Sequence, residues 1–132
     1  MGYRSNVAGI IKFKSFGDRE KFVMLAKAHG GLIADNFNDE KGLAEWTWDT
    51  DEAPHKEDLI MTFEYDDVKW YESYDDVRCH YELCKYAEET FEASWRIMSV
   101  GEDGQEGLAE GGNDSYSLED YIYTIHELRT NF

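Results

Sequence analysis

The fold is decided by residues 5–31, which read SNVAGIIKFKSFGDREKFVMLAKAHGG. Residues 5–14 are mostly apolar, and Lys12 and Lys14 alternate onto the wet side near the end, which predicts a strand. Ser15 is then expected to cap a helix, because Asp18 follows three residues later as in a capping box. The pair Gly30-Gly31 ends this helix, since glycine adopts the left-handed cap conformation. Its buried face is expected to hold Phe22, Leu25, Ala26 and His29.

Downstream of this unit the pattern alternates between strands and helices. We expect a short strand at 32–34, a strand over 43–49, a hairpin loop at 51–57 and a return strand over 58–65. A second helix begins near Ser73 or Asp75 and runs to about Glu89. The apolar face of that helix is expected to hold Val77, His80, Tyr81, Cys84 and Ala87. A further strand is predicted over 91–100.

The last quarter of the chain is less regular. Residues 101–113 contain five glycines and four acids, which predicts a loop, with a flexible acidic stretch at about 101–115. Residues 116–128 fit either a helix or a strand, and the strand-like composition of 121–125 favours a strand.

The predicted order is β-α-β-β-α-β with one further C-terminal element, in a single domain covering residues 1–132. This order is typical of a ferredoxin-like α+β fold. Its antiparallel sheet carries two helices on one face and leaves the other face to water or a partner.

The charge of the chain is divided unevenly along its length. Residues 1–34 carry six basic and two acidic side chains, a net of +4, and residues 35–132 carry seven basic and 27 acidic side chains, a net of −20. The total of −16 is well beyond the magnitude of about 2–8 that serves solubility. Negative charge at this density destabilises the compact state through self-repulsion, and it favours contact with a basic partner.

Composition and spacing argue against several other functions. No apolar run is long enough for a membrane span or resembles a signal peptide, and the negative charge disfavours binding to nucleic acid or anionic membranes. An EF-hand register on Gly42 or Gly104 would place Phe37 or Ser99 at its first ligand position, so neither register fits calcium. No nucleophile elbow or phosphate loop occurs, so we expect no enzyme.

The two cysteines are the remaining candidates for a metal site or a crosslink. Cys84 and His80 could face one ion, but a structural zinc site needs four ligands. Cys79 and Cys84 are expected to point to different faces of one helix. We therefore predict two free thiols packed as small apolar side chains, which suits a reducing cytoplasm, and no metal or cofactor.

The acids themselves form the candidate site. Alternate carboxylates on a strand lie about 6.6 Å apart, close to twice the 3.4 Å rise per phosphate of a DNA strand. Aromatic side chains beside them could anchor a partner. The predicted partner-binding acids are Glu45, Asp49, Asp51, Glu52, Glu64, Asp66, Asp67, Glu72, Asp75, Asp76, Glu82, Glu88, Glu89 and Glu92. The predicted aromatic anchors are Trp70, Tyr71 and Tyr74.

Three short segments resemble those of small uncharacterised acidic proteins of tailed bacteriophages. They are Met1-Gly2-Tyr3-Arg4-Ser5 before an apolar strand, residues 68–74 (VKWYESY) before a helix, and Gly101-Glu102-Asp103 before an acidic stretch. The resemblance implies a phage origin. Small, very acidic phage proteins are often similar to DNA mimics that inhibit host enzymes.

The charge and the resemblance together predict a DNA-mimic inhibitor in the host cytoplasm. We expect it to occupy the DNA-binding groove of a basic host enzyme, either a gyrase-like topoisomerase or a defence nuclease. The alternative is an accessory phage protein that binds another phage protein through its sheet, without mimicry. The basic N-terminal strand and helix are either the back of the molecule or a self-association surface that makes a homodimer.

Overall fold

The computed structural model describes residues 4–38, 46–48 and 59–113. Its elements are β1 (Ser5–Lys12), α1 (Phe16–His29), α2 (Gly31–Asp35), β2 (Ile60–Val68), α3 (Asp75–Phe91), β3 (Ser94–Gly101) and β4 (Glu106–Gly111). The four strands form one antiparallel sheet in the order β2-β1-β3-β4. The predicted α+β class with an antiparallel sheet is confirmed.

Strand β1 occupies the middle of the sheet, between β2 and β3. Every residue from Ser5 to Ile11 is buried, which explains why its sequence is nearly continuously apolar instead of alternating. Gly9 lies directly against the ring of Phe63 on β2, and a Cβ atom at this position would overlap the ring. Glycine is therefore required at Gly9 by close packing across the strand pair.

Helix α1 begins and ends where the sequence predicts. The Ser15 side chain accepts a hydrogen bond from the Asp18 N–H at 3.1 Å, and Gly30 ends the helix with φ at 88°. The predicted buried face is partly wrong. Leu25 is 48 % exposed and His29 is also exposed, whereas Val23 is buried beside Phe22 and Ala26.

The short strand predicted at 32–34 is wrong, because these residues belong to α2. Gly31 has φ at 61°, so the chain turns there and a second helix starts at once. Asn36 then fixes the end of α2 to the core. Its Nδ2 donates to the Cys79 carbonyl at 2.7 Å, and its Oδ1 accepts from Trp46 Nε1 at 2.9 Å.

Two boundaries in the second half also differ from the prediction. Helix α3 continues to Phe91 and is ended by Glu92, whose φ is 55°, so β3 starts at Ser94 and not at 91. The loop predicted over 101–113 is wrong for Glu106–Gly111, which form β4 against β3. A turn at 102–105 joins the two strands.

The sheet has two unlike faces. One face packs on the helices in a core of buried side chains that includes Val7, Ile11, Phe13, Phe22, Met61, Phe63, Leu83, Trp95 and Ile97. The opposite face, which we call the far face, has an apolar centre of Ala8, Ile10, Met98 and Val100, each at most 4 % exposed. The far face therefore offers almost no exposed apolar surface at its centre.

Several predicted elements fall largely outside the described residues. Of the strand predicted over 43–49, the structure describes residues 46–48. Within them, Thr47 forms an isolated antiparallel bridge with Thr62 of β2. The loop at 51–57 and the element at 116–128 lie outside the described ranges.

Candidate acidic partner-binding surface

Ten of the fourteen predicted partner-binding acids lie within the described residues, and Glu45, Asp49, Asp51 and Glu52 lie outside them. The structure divides the ten into groups with different surroundings. One group follows β2 to the start of α3, a second runs along the outer side of α3, and two further acids are bonded within the molecule.

The first group is a run of exposed carboxylates. Residues 64–76 contain six acids and one base, Lys69, a net charge of −5. Asp75 forms an ion pair with Arg78 at 3.2 Å. We call the five others the acidic edge, and all of them are exposed: Glu64, Asp66, Asp67, Glu72 and Asp76. Their repulsion is worth about 0.6 kcal/mol for a pair 6.6 Å apart in water, before screening by salt.

The acidic edge is held in place by a β-bulge at the end of β2. The pairing register shifts between Ser5 and Val7, and Asp67 adopts φ of 55°. The Asn6 Oδ1 accepts the Asp67 N–H at 2.8 Å, and Arg4 Nη1 donates to the Asp67 carbonyl at 2.9 Å. No local sequence signal marks these supports, since they are more than 60 residues away along the chain.

The three predicted aromatic anchors have different positions. Tyr74 is 43 % exposed, and its ring meets Tyr71 edge to face at 5.2 Å. Trp70 turns inward, where it stacks on Phe63 and donates from Nε1 to the Tyr81 hydroxyl at 3.0 Å. Tyr74 is therefore the exposed ring of the three, Tyr71 lies half-buried beside it, and Trp70 packs in the aromatic cluster.

The outer side of α3 carries charges of alternating sign. Positions three and four apart share one side of a helix, and this side reads Asp75, Arg78, Glu82, Lys85 and Glu89, which we call the alternating stripe. Its net charge is −1. Opposite charges at this spacing stabilise a helix, so Glu82 and Glu89 belong to a balanced surface and not to a negative ridge.

The last two predicted acids contact other side chains of the protein, and Glu92 does so at the surface, where its side chain is 73 % exposed. Glu88 is half-buried, and its Oε1 accepts the Trp95 Nε1–H at 2.8 Å. Glu92 Oε2 lies 2.6 Å from Lys14 Nζ, and this contact lowers the pKa of the Glu92 carboxyl. We therefore assign Glu88 to the fold, and the charge of Glu92 is offset by that of Lys14.

A buried polar cluster joins β2 to α3 beneath the acidic edge. His80 is 1 % exposed and lies among the rings of Trp46, Phe63, Tyr65 and Trp70. Burial lowers the pKa of His80 to about 4 and raises the pKa of Cys79 to about 12. A neutral imidazole and a protonated thiol make a structural cluster with no activated nucleophile.

Both thiols are free and packed in the core as predicted, although they belong to one core cluster and do not separate onto a buried and an exposed face. Cys79 and Cys84 are buried and free, and burial also raises the pKa of Cys84. Within residues 4–38, 46–48 and 59–113, no three His, Cys, Asp or Glu side chains are grouped to hold a metal ion. No helix in the same ranges combines the length and apolar character needed to cross a membrane.

Comparison with protein-family models found no match to the chain, and comparisons with curated proteins and with solved structures found none either. The resemblance to small acidic phage proteins stays a prediction. The acidic edge, with Tyr71 and Tyr74 beside it, is the surface on which a functional proposal can be built.

Proposed function

We propose that the chain is a DNA-mimic inhibitor whose acidic edge enters the DNA-binding groove of a basic host enzyme. The observation that carries this proposal is the run of exposed acids at the acidic edge, which Lys69 and Arg4 offset only in part, whereas the later acids of α3 and Glu92 are balanced or bonded. Groove lysines and arginines arranged for phosphates would meet carboxylates at a similar spacing.

The aromatic pair adds to the electrostatic attraction. Exposed tyrosines are frequent anchors at protein interfaces, because the ring is apolar and the hydroxyl can reach a polar partner. Tyr74 lies within two residues of both Glu72 and Asp76, so a groove that receives these acids would also contact its ring. The enzyme would be a gyrase-like topoisomerase or a defence nuclease.

Two finer features belong to the same proposal. The Thr47–Thr62 bridge adds a chain segment outside β2, and the resulting order is β4-β3-β1-β2-Thr47. This order supports a ferredoxin-like arrangement with β4 as an extra edge strand. The two free thiols support a reducing compartment such as the host cytoplasm.

The experiment is capture from a bacterial lysate on the immobilised full chain, followed by elution with duplex DNA. A DNA-binding enzyme released by duplex DNA, and by salt, is the expected result. The variant Glu64→Gln/Glu72→Gln should lose most of the capture. The matched control Glu82→Gln/Glu89→Gln removes the same charge from the alternating stripe and should retain it.

Two outcomes would overturn the proposal. One is that no captured protein is displaced by duplex DNA. The other is that both double variants reduce capture equally, because binding would then follow total charge and not the acidic edge.

A further inference from the structure

The outer side of α1 is unlike that of α3. Met24 is 72 % exposed and Leu25 48 % exposed, although Phe22, Val23 and Ala26 already supply the buried side of this helix. Met24 shares the outer side with Lys21 and Ala28, which lie three residues before it and four after it. We call Lys21, Met24, Leu25, Lys27 and Ala28 the α1 outer face, and all five are exposed.

The charge of this face is opposite to that of the molecule. Its two charged side chains, Lys21 and Lys27, are basic, whereas the whole chain carries −16. Glu20, four residues before Met24, is paired with the buried Arg19 at 3.1 Å. Lys27 also extends over the ring of Phe37, with Nζ 5.7 Å from the ring centroid. The α1 outer face thus combines two exposed apolar side chains with basic charge, unlike the alternating stripe of α3.

We propose that the α1 outer face binds the acidic edge of a second copy of this chain. Lys21 and Lys27 would meet carboxylates of the edge, and Met24 would contact the exposed ring of Tyr74. Methionine sulfur and aromatic rings make favourable contacts of this kind. The basic α1 outer face and the acidic edge are therefore complementary in charge, and Met24 and Tyr74 add an apolar contact between them.

Charge decides against the symmetric alternative. A two-fold contact of α1 with α1 would place Lys21 and Lys27 of one copy against the same lysines of the other, and like charges in contact disfavour that arrangement. A contact between two different surfaces is head-to-tail. It either closes into a ring or continues as an open chain of copies.

Self-association of this kind covers the acidic edge. The fraction of copies with a free edge would fall as concentration rises, and a target enzyme would compete with the second copy. This consequence rests on the proposed function, whereas the contact between copies does not.

The test uses the full chain and two variants, each blocked on one surface. Met24→Glu places an acid on the α1 outer face at an exposed position. Glu64→Lys/Glu72→Lys reverses the acidic edge. Sedimentation equilibrium of the wild-type chain should show an average mass that rises above the monomer with concentration, and each variant alone should raise the dissociation constant by about tenfold or more.

Mixing the two variants gives the decisive result. The intact edge of the Met24→Glu chain can still bind the intact α1 outer face of the other variant, so a one-to-one complex should form and grow no further. The control Lys85→Glu adds acid to the alternating stripe and should associate as the wild-type chain does.

Three outcomes would overturn the proposal. They are a wild-type chain that stays monomeric at every concentration, an edge variant that still associates with itself, and a mixture that forms no complex. None of them bears on capture of a host enzyme, so the failure of this proposal and that of the proposed function are distinguishable.

Discussion

The hydroxyl oxygen of Tyr65 lies 3.0 Å from Nε2 of His80, and this contact links β2 to α3 inside an aromatic cluster. The backbone at Asp76 and Val77 favours the charged form of the ring. Burial outweighs this effect and lowers the pKa of His80 to about 4. The acidic edge lies in residues 64–76, which connect β2 to α3. The contact between Tyr65 and the neutral, buried His80 therefore joins the two elements that carry this segment.

We predict that the His80 contribution to stability is lost in acid. The folded-state pKa lies below the unfolded value of 6.5, so the unfolded chain binds the proton first. Stability is therefore present above pH 6.5 and falls as pH decreases toward 4, by about 3 kcal/mol at most. Urea unfolding at several pH values should show that His80→Gln costs much less stability near pH 4 than at pH 7.

The wild-type chain and the His80→Gln variant carry the same carboxylates, whose protonation in acid relieves repulsion equally in both. The difference between their unfolding free energies at each pH therefore reports on His80 alone. An NMR titration of the wild-type ring provides a second measurement that needs no variant. A His80 resonance that titrates near 6.5 in the folded protein would contradict the prediction.

We predict opposite effects for two Gly→Ala substitutions. A methyl group at Gly9 would overlap the Phe63 ring, so Gly9→Ala should destabilise the fold by about 1–3 kcal/mol. Gly17 lies in α1, and a Cβ there would meet only the Ser15 Oγ at 3.9 Å. Gly17→Ala should therefore stabilise by about 1 kcal/mol, because alanine favours helices over glycine. Denaturant unfolding of both variants is the measurement, and equal destabilisation would show that the overlap at Gly9 does not matter.

The sequence reveals those elements whose signals are local. Its local signals identify β1, the Ser15 cap, the end of α1 at Gly30 and the start of α3, since each depends on neighbouring residues. Strand β4 could not be predicted from the sequence, because its glycines are typical of a loop. Gly111 is instead required by contact, since a Cβ there would overlap the Trp95 indole of the paired strand.

The candidate site was predictable in composition but not in organisation. Spacing along the chain identifies the acids of 64–76. It does not show that Glu88 accepts a hydrogen bond from the Trp95 indole or that Lys14 pairs with Glu92, because these contacts join different elements of the fold. The alternation of charge along α3 could have been found from helical spacing, by counting the bases at Arg78 and Lys85 together with the acids.

We predict that both thiols are unreactive in the folded protein. Burial raises the pKa of Cys79 to about 12 and also raises that of Cys84, so little thiolate exists near neutral pH and it is shielded from reagents. Labelling with an aromatic disulfide reagent should be slow in buffer and rapid in denaturant, where it should release two equivalents. Rapid labelling of one thiol in buffer would show that the core beside α3 opens more easily than the burial indicates.

The final prediction concerns the cost of the acidic edge to the fold. Glu72 lies in the run 64–76, which carries six acids and one base, so Glu72→Gln should relieve repulsion and raise stability by a few tenths of a kcal/mol at low salt. Glu82→Gln makes the same chemical change within the alternating stripe, where Arg78 and Lys85 lie one turn away, and it should lower stability by a similar amount. Thermal unfolding in low and high salt is the measurement, and the difference between the variants should shrink as salt screens both effects. Acids that destabilise the fold are typical of binding surfaces, because proteins often sacrifice stability at functional sites. If Glu72→Gln lowered stability, Glu72 would be stabilising the fold in the same way as Glu82, and the acidic edge would not differ from the alternating stripe in its effect on stability.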